Sequence, residues 1–227
     1  MKRQDPFSIV YEDERILAVD KVSGLSVVAD RYDESRDRLD ELLNRYFAQE
    51  LQNNPDQKSR IPFPHRVLLL HRIDKDTSGL VLFAKDTDTQ RMLSRLFQDR
   101  AIRKSYIALV HGRPAWEETE CNLPLKADGD RAHRTVIDKW KGKTAVTRFK
   151  YLGGVANYSV LLCMPESGRT HQIRVHLSSM GYPIICDPLY GSSAPLKLSS
   201  FKRGWRGNPD EELPLLISQN SLFCGLL

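Results

Sequence analysis

The 227-residue chain has four cysteines, Cys121, Cys163, Cys186 and Cys224, and no two of them stand in CxxC spacing. That excludes a disulfide framework and a zinc site of ordinary spacing, and predicts reduced, mostly buried thiols. No apolar run approaches the roughly 20 residues needed to span a bilayer. Met1–Tyr11 lacks the apolar core of a secretory signal. A cytoplasmic protein without membrane partners is expected. Neither GxGxxG nor Walker spacing surrounds Gly153-Gly154, so that pair reads as a turn and not a phosphate loop. His171 and His176 stand five apart and do not share a helix face well, which argues against a metal pair. Internal repeats and low-complexity tracts are absent.

Charge is present but unevenly placed. The formal net charge of +5 divides into −4 over residues 1–59, +8 over 60–150 and +1 thereafter. A basic middle third can attract a polyanion, because Lys and Arg release counterions condensed on phosphates. Hydrophobic residues make up 41% of the chain, enough for a core of useful size.

Short apolar runs over Ser8–Tyr11 and Ile16–Val19, split by Glu12-Asp13-Glu14-Arg15, predict a hairpin. Further strands are expected over Leu25–Val28, Val67–Leu70, Gly79–Ala84, Ser105–Val110, Thr144–Tyr151, Tyr158–Cys163 and Pro183–Cys186. Helical spacing of apolar residues predicts helices over Asp37–Glu50, Thr87–Asp99 and Thr170–Met180. Gln52–Pro64 reads as a loop and Asn122–Thr135 as an exposed connection. Strands dominate and helices enter singly, so the fold class is α+β, built on a mixed, largely antiparallel sheet flanked by helices and loops.

Three segments carry candidate chemistry. His71-Arg72-Ile73-Asp74-Lys75-Asp76-Thr77-Ser78-Gly79 is too polar for a core and lies between two apolar runs, so it should project as a loop from a sheet edge. Arg72 and Lys75 flank Asp74 with positive charge. A carboxylate in such a place can act as a nucleophile or stabilise a cationic sugar-like transition state. By spacing alone, a surface Asp in a charged turn is the commoner occurrence. Gly168-Arg169-Thr170-His171-Gln172-Ile173-Arg174 opens a helix, with His171 and Arg174 on one face. Its start suits an anion, either an RNA phosphate or a carboxylate. Tyr106, near a strand start, can stack on a base or simply fill the core.

Together these segments resemble the RluA family of pseudouridine synthases. Asp20-Lys21-Val22-Ser23-Gly24 is similar to the family's first motif, in which Lys-Pro-x-Gly is usual. His71 to Leu80 resembles His-Arg-Leu-Asp-x-x-Thr-Ser-Gly, with Ile73 in place of Leu. Lys104 to Val110 resembles the Tyr-containing strand. Gly168 to Leu177 resembles Gly-Arg-Thr-His-Gln-Ile-Arg-Val-His-Leu. Gly181 to Gly191 resembles Gly-x-Pro-Ile-x-Gly-Asp-x-x-Tyr-Gly, with Cys186 where Gly is usual. The matches run in family order from about Ile9 to Gly191.

The resemblance implies an RNA-modifying isomerase acting on uridines of structured RNA, ribosomal or transfer, without a cofactor or metal. It implies Asp74 as catalytic carboxylate, Tyr106 stacked on the target uracil, and Arg174 paired with Asp74. It implies Arg72 in the gap left by a flipped uridine, with Lys21, Arg169, His171 and Gln172 as further RNA contacts. One catalytic domain over residues 1–227 is expected, a monomer with no N-terminal RNA-binding domain, so that substrate choice falls to its own loops. The tail 213–227 is atypical: it lacks the family's closing Arg-Leu-x-Leu-His-Ala strand, so that strand is expected to be altered or missing. Two alternatives stand beside this reading. One is a non-catalytic RNA-binding protein with the same fold. The other is a metal-dependent nuclease using Asp74 and Asp76, which lacks further carboxylate ligands.

Overall fold

Alternation in residues 7–21 folds the chain back on itself. Strands β1 (Phe7–Glu12) and β2 (Ile16–Lys21) pair antiparallel, as their patterning predicts. The Asp13 side chain closes the turn between them by accepting from the Arg15 and Ile16 N–H groups at 2.7 and 2.6 Å. The computed structural model describes residues 5–29, 37–53, 66–200, 202, 204–208, 211–215 and, as backbone, 222–226. Most of the loop expected over Gln52–Pro64 lies outside the described residues.

The chain divides into two compact units, Met1–Ile102 and Arg103–Leu227. In the first unit, β2 pairs antiparallel with β4 (Ser78–Ala84), and β4 also takes the short β3 (Leu68–Leu69). Leu17, Val19, Val81 and Phe83 are wholly buried. Helix α1 (Leu39–Asn53) buries Leu39, Leu43 and Phe47, four residues apart on one face. Helix α2 (Thr87–Gln98) is capped by Asp86, which accepts from the Thr89 N–H at 2.8 Å. The strand expected over Leu25–Val28 does not form. A single bridge joins Ser26 to Arg38, and residues 22–25 wrap around a buried lysine described below.

In the second unit, β5 (Lys104–His111) is flanked by β10 (Tyr158–Pro165) and β11 (Leu222–Leu226). β10 continues antiparallel to β9 (Val146–Val155), and β9 to β6 (Glu118–Asn122). Of the two outcomes expected for the closing strand, altered or missing, the second does not hold: without the family's closing pattern, residues 222–226 still pair with β5. Backbone hydrogen bonding does not require that side-chain pattern.

Gly153-Gly154 is not a turn. Both residues lie inside β9, where the register to β10 slips by one at Leu152. Gly154 is required by close approach: a Cβ there would strike the Tyr158 carbonyl oxygen. The turn falls instead at Ala156-Asn157, with Ala156 at φ +52°. The expected connection over 122–135 contains half of a small hairpin, β7 (Leu125–Lys126) with β8 (Val136–Ile137). Leu125, Ala145 and Val175 form a small core beneath it, joined by Ile137 and Tyr190. Pro183–Cys186 makes isolated bridges and no full strand. Helix α3 (Gln172–Ser179) begins two residues later than expected, because His171 takes a left-handed conformation, φ +53°, at its N-cap.

Candidate active site

The loop carrying Asp74 is fixed from below by residues of the first motif. Lys21 is wholly buried, and its ammonium donates to three main-chain carbonyls: Val22 at 2.9 Å, Leu25 at 2.7 Å and Lys75 at 2.8 Å. Three N–H groups thus meet three acceptors. The Gly24 N–H donates to the Lys75 carbonyl at 2.9 Å, and the Ser23 hydroxyl to the Asp76 carbonyl at 2.7 Å. Gly24 itself sits at φ +87°, where glycine carries little strain. Within the loop, the Thr77 N–H donates to the Asp74 carbonyl at 3.1 Å. The main chain from Asp74 to Thr77 is therefore held, while Asp74 itself is half-buried.

Burial pushes the Lys21 ammonium down to about 8, against the charges of Asp76 and Asp74, which raise it. The expectation that Lys21 contacts RNA is corrected by this burial. No surface of the residue is open, and all three of its protons are engaged within the protein. Its inward direction follows from strand alternation, since Leu17, Val19 and Lys21 face the same side of β2. Arg72 is exposed. His71 accepts the Leu82 N–H on Nε2 at 3.1 Å, and its ring lies 5.0 Å from that of Phe97, which ties the loop's start to β4 and α2.

In the second unit, Arg174 is aimed by residues that its own motif does not contain. Its guanidinium donates Nε to Asp187 Oδ2 at 2.8 Å and Nη2 to Asp187 Oδ1 at 3.0 Å. Both side chains are nearly excluded from solvent, 4% and 0% exposed, so the pair is bidentate and desolvated. Asp187 is fixed in turn by the Leu189 and Tyr190 N–H groups. The Arg174 guanidinium also lies 5.1 Å from the Tyr190 ring. Sequence reading quoted Asp187 and Tyr190 within a motif but gave them no role.

Tyr190 also organises the start of α3. Its hydroxyl accepts the Thr135 N–H at 3.0 Å and lies 2.9 Å from His171 Nδ1. Which of the two donates in the Tyr190–His171 bond follows from the imidazole tautomer, because the hydroxyl can both donate and accept. Gln172 is buried, with its amide engaged by Ser167, the Arg169 N–H, the Val146 carbonyl and Thr147. Its expected RNA contact is therefore also corrected: both ends of the amide are consumed inside the protein. Arg169 is exposed and donates to the Thr144 carbonyl at 3.2 Å. Tyr106 is 9% exposed on β5, opposite Cys163 of β10 and Cys224 of β11.

His176 is held between Thr147 Oγ1 at 2.9 Å and the Leu123 carbonyl at 3.0 Å, and serves structure. Among the described residues no group of three or more His, Cys, Asp or Glu side chains is arranged to hold a metal ion. Cys186 stands at φ +59°, which explains why glycine is usual at that point of the motif.

The family model for RNA pseudouridylate synthase matches residues 15–179, well over half of the chain. The chain belongs to the RNA pseudouridylate synthase family. Its relatives include the "Ribosomal large subunit pseudouridine synthase D" of Zymomonas mobilis, 36% identical over 83% of this chain and 57% of that one. The "Dual-specificity RNA pseudouridine synthase RluA" of Vibrio cholerae is 35% identical over 82% of this chain and 70% of that one. The resemblance to RluA read from the motifs is thereby confirmed. The chain spans little more than half of the Zymomonas relative. The solved structure of "Human RNA Pseudouridylate Synthase Domain Containing 4" matches 95% of this chain and 81% of that one, with a TM-score of 0.69 at 22% identity, and shows the shared pseudouridylate synthase fold. The family's first two motifs fall in the first unit and the remaining three in the second.

Proposed function

We propose that the chain converts selected uridines of structured RNA, ribosomal or transfer, to pseudouridine, with Asp74 as its catalytic carboxylate. The observation that carries this reading is the Asp74 loop. Its main chain is tied at Lys75 and Asp76 by Lys21, Ser23 and Gly24, while Asp74 itself is only half-buried. A charged group held on fixed backbone needs little reorganisation when charge develops opposite it.

The chemistry breaks the N1–C1′ bond, turns the uracil and joins C5 to C1′. Asp74 assists departure of the base, either by attack at C1′ or by promoting a glycal. The proton at C5 leaves and N1 gains one, so the sum is an isomerisation that consumes no oxidant or reductant. Tyr106 stacks on the uracil and helps remove the C5 proton, and Arg174 orients Asp74. Flipping the uridine out of its stack costs a few kcal/mol, which favours loops and ends of RNA. Arg72 fills the vacated space, and Arg169 and His171 lie along the backbone. The three cysteines whose side chains are described are buried and free of disulfides, which suits a reducing compartment, and we place the reaction in the cytoplasm. We take the whole chain, as a monomer, to be one catalytic domain.

Because C5 exchanges its hydrogen for a bond to carbon, RNA labelled with tritium at C5 of uridine releases label as the product forms. The Asp74→Asn variant should release none from RNA of cells lacking the gene, while its RNA affinity stays within a few-fold of wild type. A wild-type protein that binds this RNA without releasing label would favour the alternative, a non-catalytic RNA-binding protein.

A further inference from the structure

Trp140 is 95% exposed, the most open large hydrophobic residue among those described. Exposing a tryptophan this fully is unusual, because its indole carries a large apolar surface. It stands in a turn with Lys139, Lys141 and Lys143, all exposed and without an acidic residue between them.

The turn beneath it is built rigidly. Asp138 Oδ1 accepts the N–H groups of both Trp140 and Lys141 at 2.9 Å, and the Asp138 carbonyl accepts the Gly142 N–H at 2.9 Å. A Cβ on Gly142 would strike the Asp138 carbonyl oxygen and lie 2.8 Å from the Pro124 carbonyl carbon, so only glycine fits. Lys143 and Leu125 exchange both backbone hydrogen bonds, at 2.8 and 2.9 Å. The β7–β8 hairpin bearing the turn shares its small core with Val175 of α3, the helix that carries Arg174. Arg169 donates to Thr144, one residue past Lys143. The turn is thus braced against the segment Gly168–Arg174 within the second unit.

We propose that this turn is a stacking platform: the Trp140 indole takes an unpaired base of the substrate RNA, and Lys139, Lys141 and Lys143 neutralise the adjoining phosphates. Aromatic faces accept any unpaired base, and flanking cations hold the backbone. The rigid turn matters, since a backbone already held in place loses little freedom on binding. Charge complementarity favours RNA over a protein surface here. The inference rests on the reading that the chain acts on RNA, and it names where that RNA is gripped beyond the reacting uridine.

The test compares wild type with Trp140→Ala, Trp140→Phe and the triple Lys139→Gln/Lys141→Gln/Lys143→Gln variant. The first readout is label release from C5-tritiated RNA. Trp140→Ala should raise KM about tenfold or more, leave kcat at saturating RNA within about twofold, and melt like wild type. Trp140→Phe should recover most of the affinity. Single-stranded oligouridylate should quench the intrinsic fluorescence of wild type, and much less that of Trp140→Phe. The lysine variant should flatten the dependence of log affinity on log salt by about 2, at about 0.7 per phosphate on a single strand, whereas the Trp140 variants leave that slope unchanged. Label release with a wild-type KM in Trp140→Ala, or undiminished quenching in Trp140→Phe, overturns the platform alone. Trp140-dependent RNA binding without label release by wild type overturns the catalytic reading and leaves the platform standing. Loss of a co-purifying protein in Trp140→Ala, with RNA KM unchanged, overturns the platform in favour of protein docking.

Discussion

Replacing Lys21 by methionine removes the ammonium that ties residues 22–25 to the Asp74 loop while keeping much of the side-chain volume. Three charge-assisted hydrogen bonds, at roughly 1.5–3 kcal/mol each, are lost. Against this, the variant no longer buries a charge. A fall from the ordinary 10.5 to about 8 corresponds to about 3 kcal/mol at 1.36 kcal/mol per pH unit. The net loss at pH 7 is then roughly 1.5–6 kcal/mol, or a melting point lowered by about 3–24 °C for a chain of this size. Well below the melting point, kcat should fall about tenfold or more with KM for RNA changed less than threefold, because the loop is loosened and not the RNA surface. The pH dependence gives a second signature. Between about 8 and 10.5 the unfolded chain holds the Lys21 proton and the folded chain does not, so this group makes wild type more stable as pH rises. Activity should move the other way over the same range, since a neutral amine has two N–H groups for three carbonyls. Thermal melts and label release across pH 7–10 read both. A Lys21→Met variant with unchanged melting point and kcat, or a wild type flat in both through pH 8–10, would refute the reasoning.

Asp187→Asn weakens the bidentate hold on a nearly buried guanidinium; melts should show a loss of roughly 2–4 kcal/mol, and label release a drop in kcat with little change in KM. At Cys186 the usual ranking of small residues should invert. Because φ is +59°, Cys186→Gly should be more stable than Cys186→Ala by about 1 kcal/mol in urea unfolding, and a variant pair in the ordinary order would count against strain there. Burial lowers the His176 imidazolium below its ordinary 6.5, so as pH falls below about 6.5 the unfolded chain takes up a proton that the folded chain refuses. Stability should drop there by up to about 1.4 kcal/mol per pH unit, a slope that His176→Asn should lack.

Much of the frame was legible because period and burial agree. Leu39, Leu43 and Phe47 announce α1, and the alternation around Leu17 and Val19 announces β2. Asp74 was legible as a loop residue because its neighbours are too polar for a core. What escaped was set by tertiary partners. Lys21 read as a surface cation, since buried lysines are rare, although alternation from Leu17 and Val19 pointed it inward. Asp187 lies 13 residues from Arg174, and no local pattern joins them. β7 and β8 have two residues each, too few to show any period. Gly153-Gly154 looked like a turn because glycine marks bulges and turns alike. β11 carries no signature of its own, since its partner strand dictates its shape.

The pairing of Leu222 with Ala108 has a consequence for synthesis. As the ribosome adds about 5–20 residues per second, the 114-residue separation between these two positions in the sequence takes roughly 6–23 s to synthesise. Throughout that interval the edge of β5 that β11 will occupy has no partner from residues 222–226. An unpaired edge is an invitation to aggregate. Tyr106 sits on that strand, opposite Cys224, so the strand that carries it is among the last of those described in the second unit to gain all its partners. The Asp74 loop, by contrast, takes its described ties from residues 21–24, which emerge some fifty residues before it.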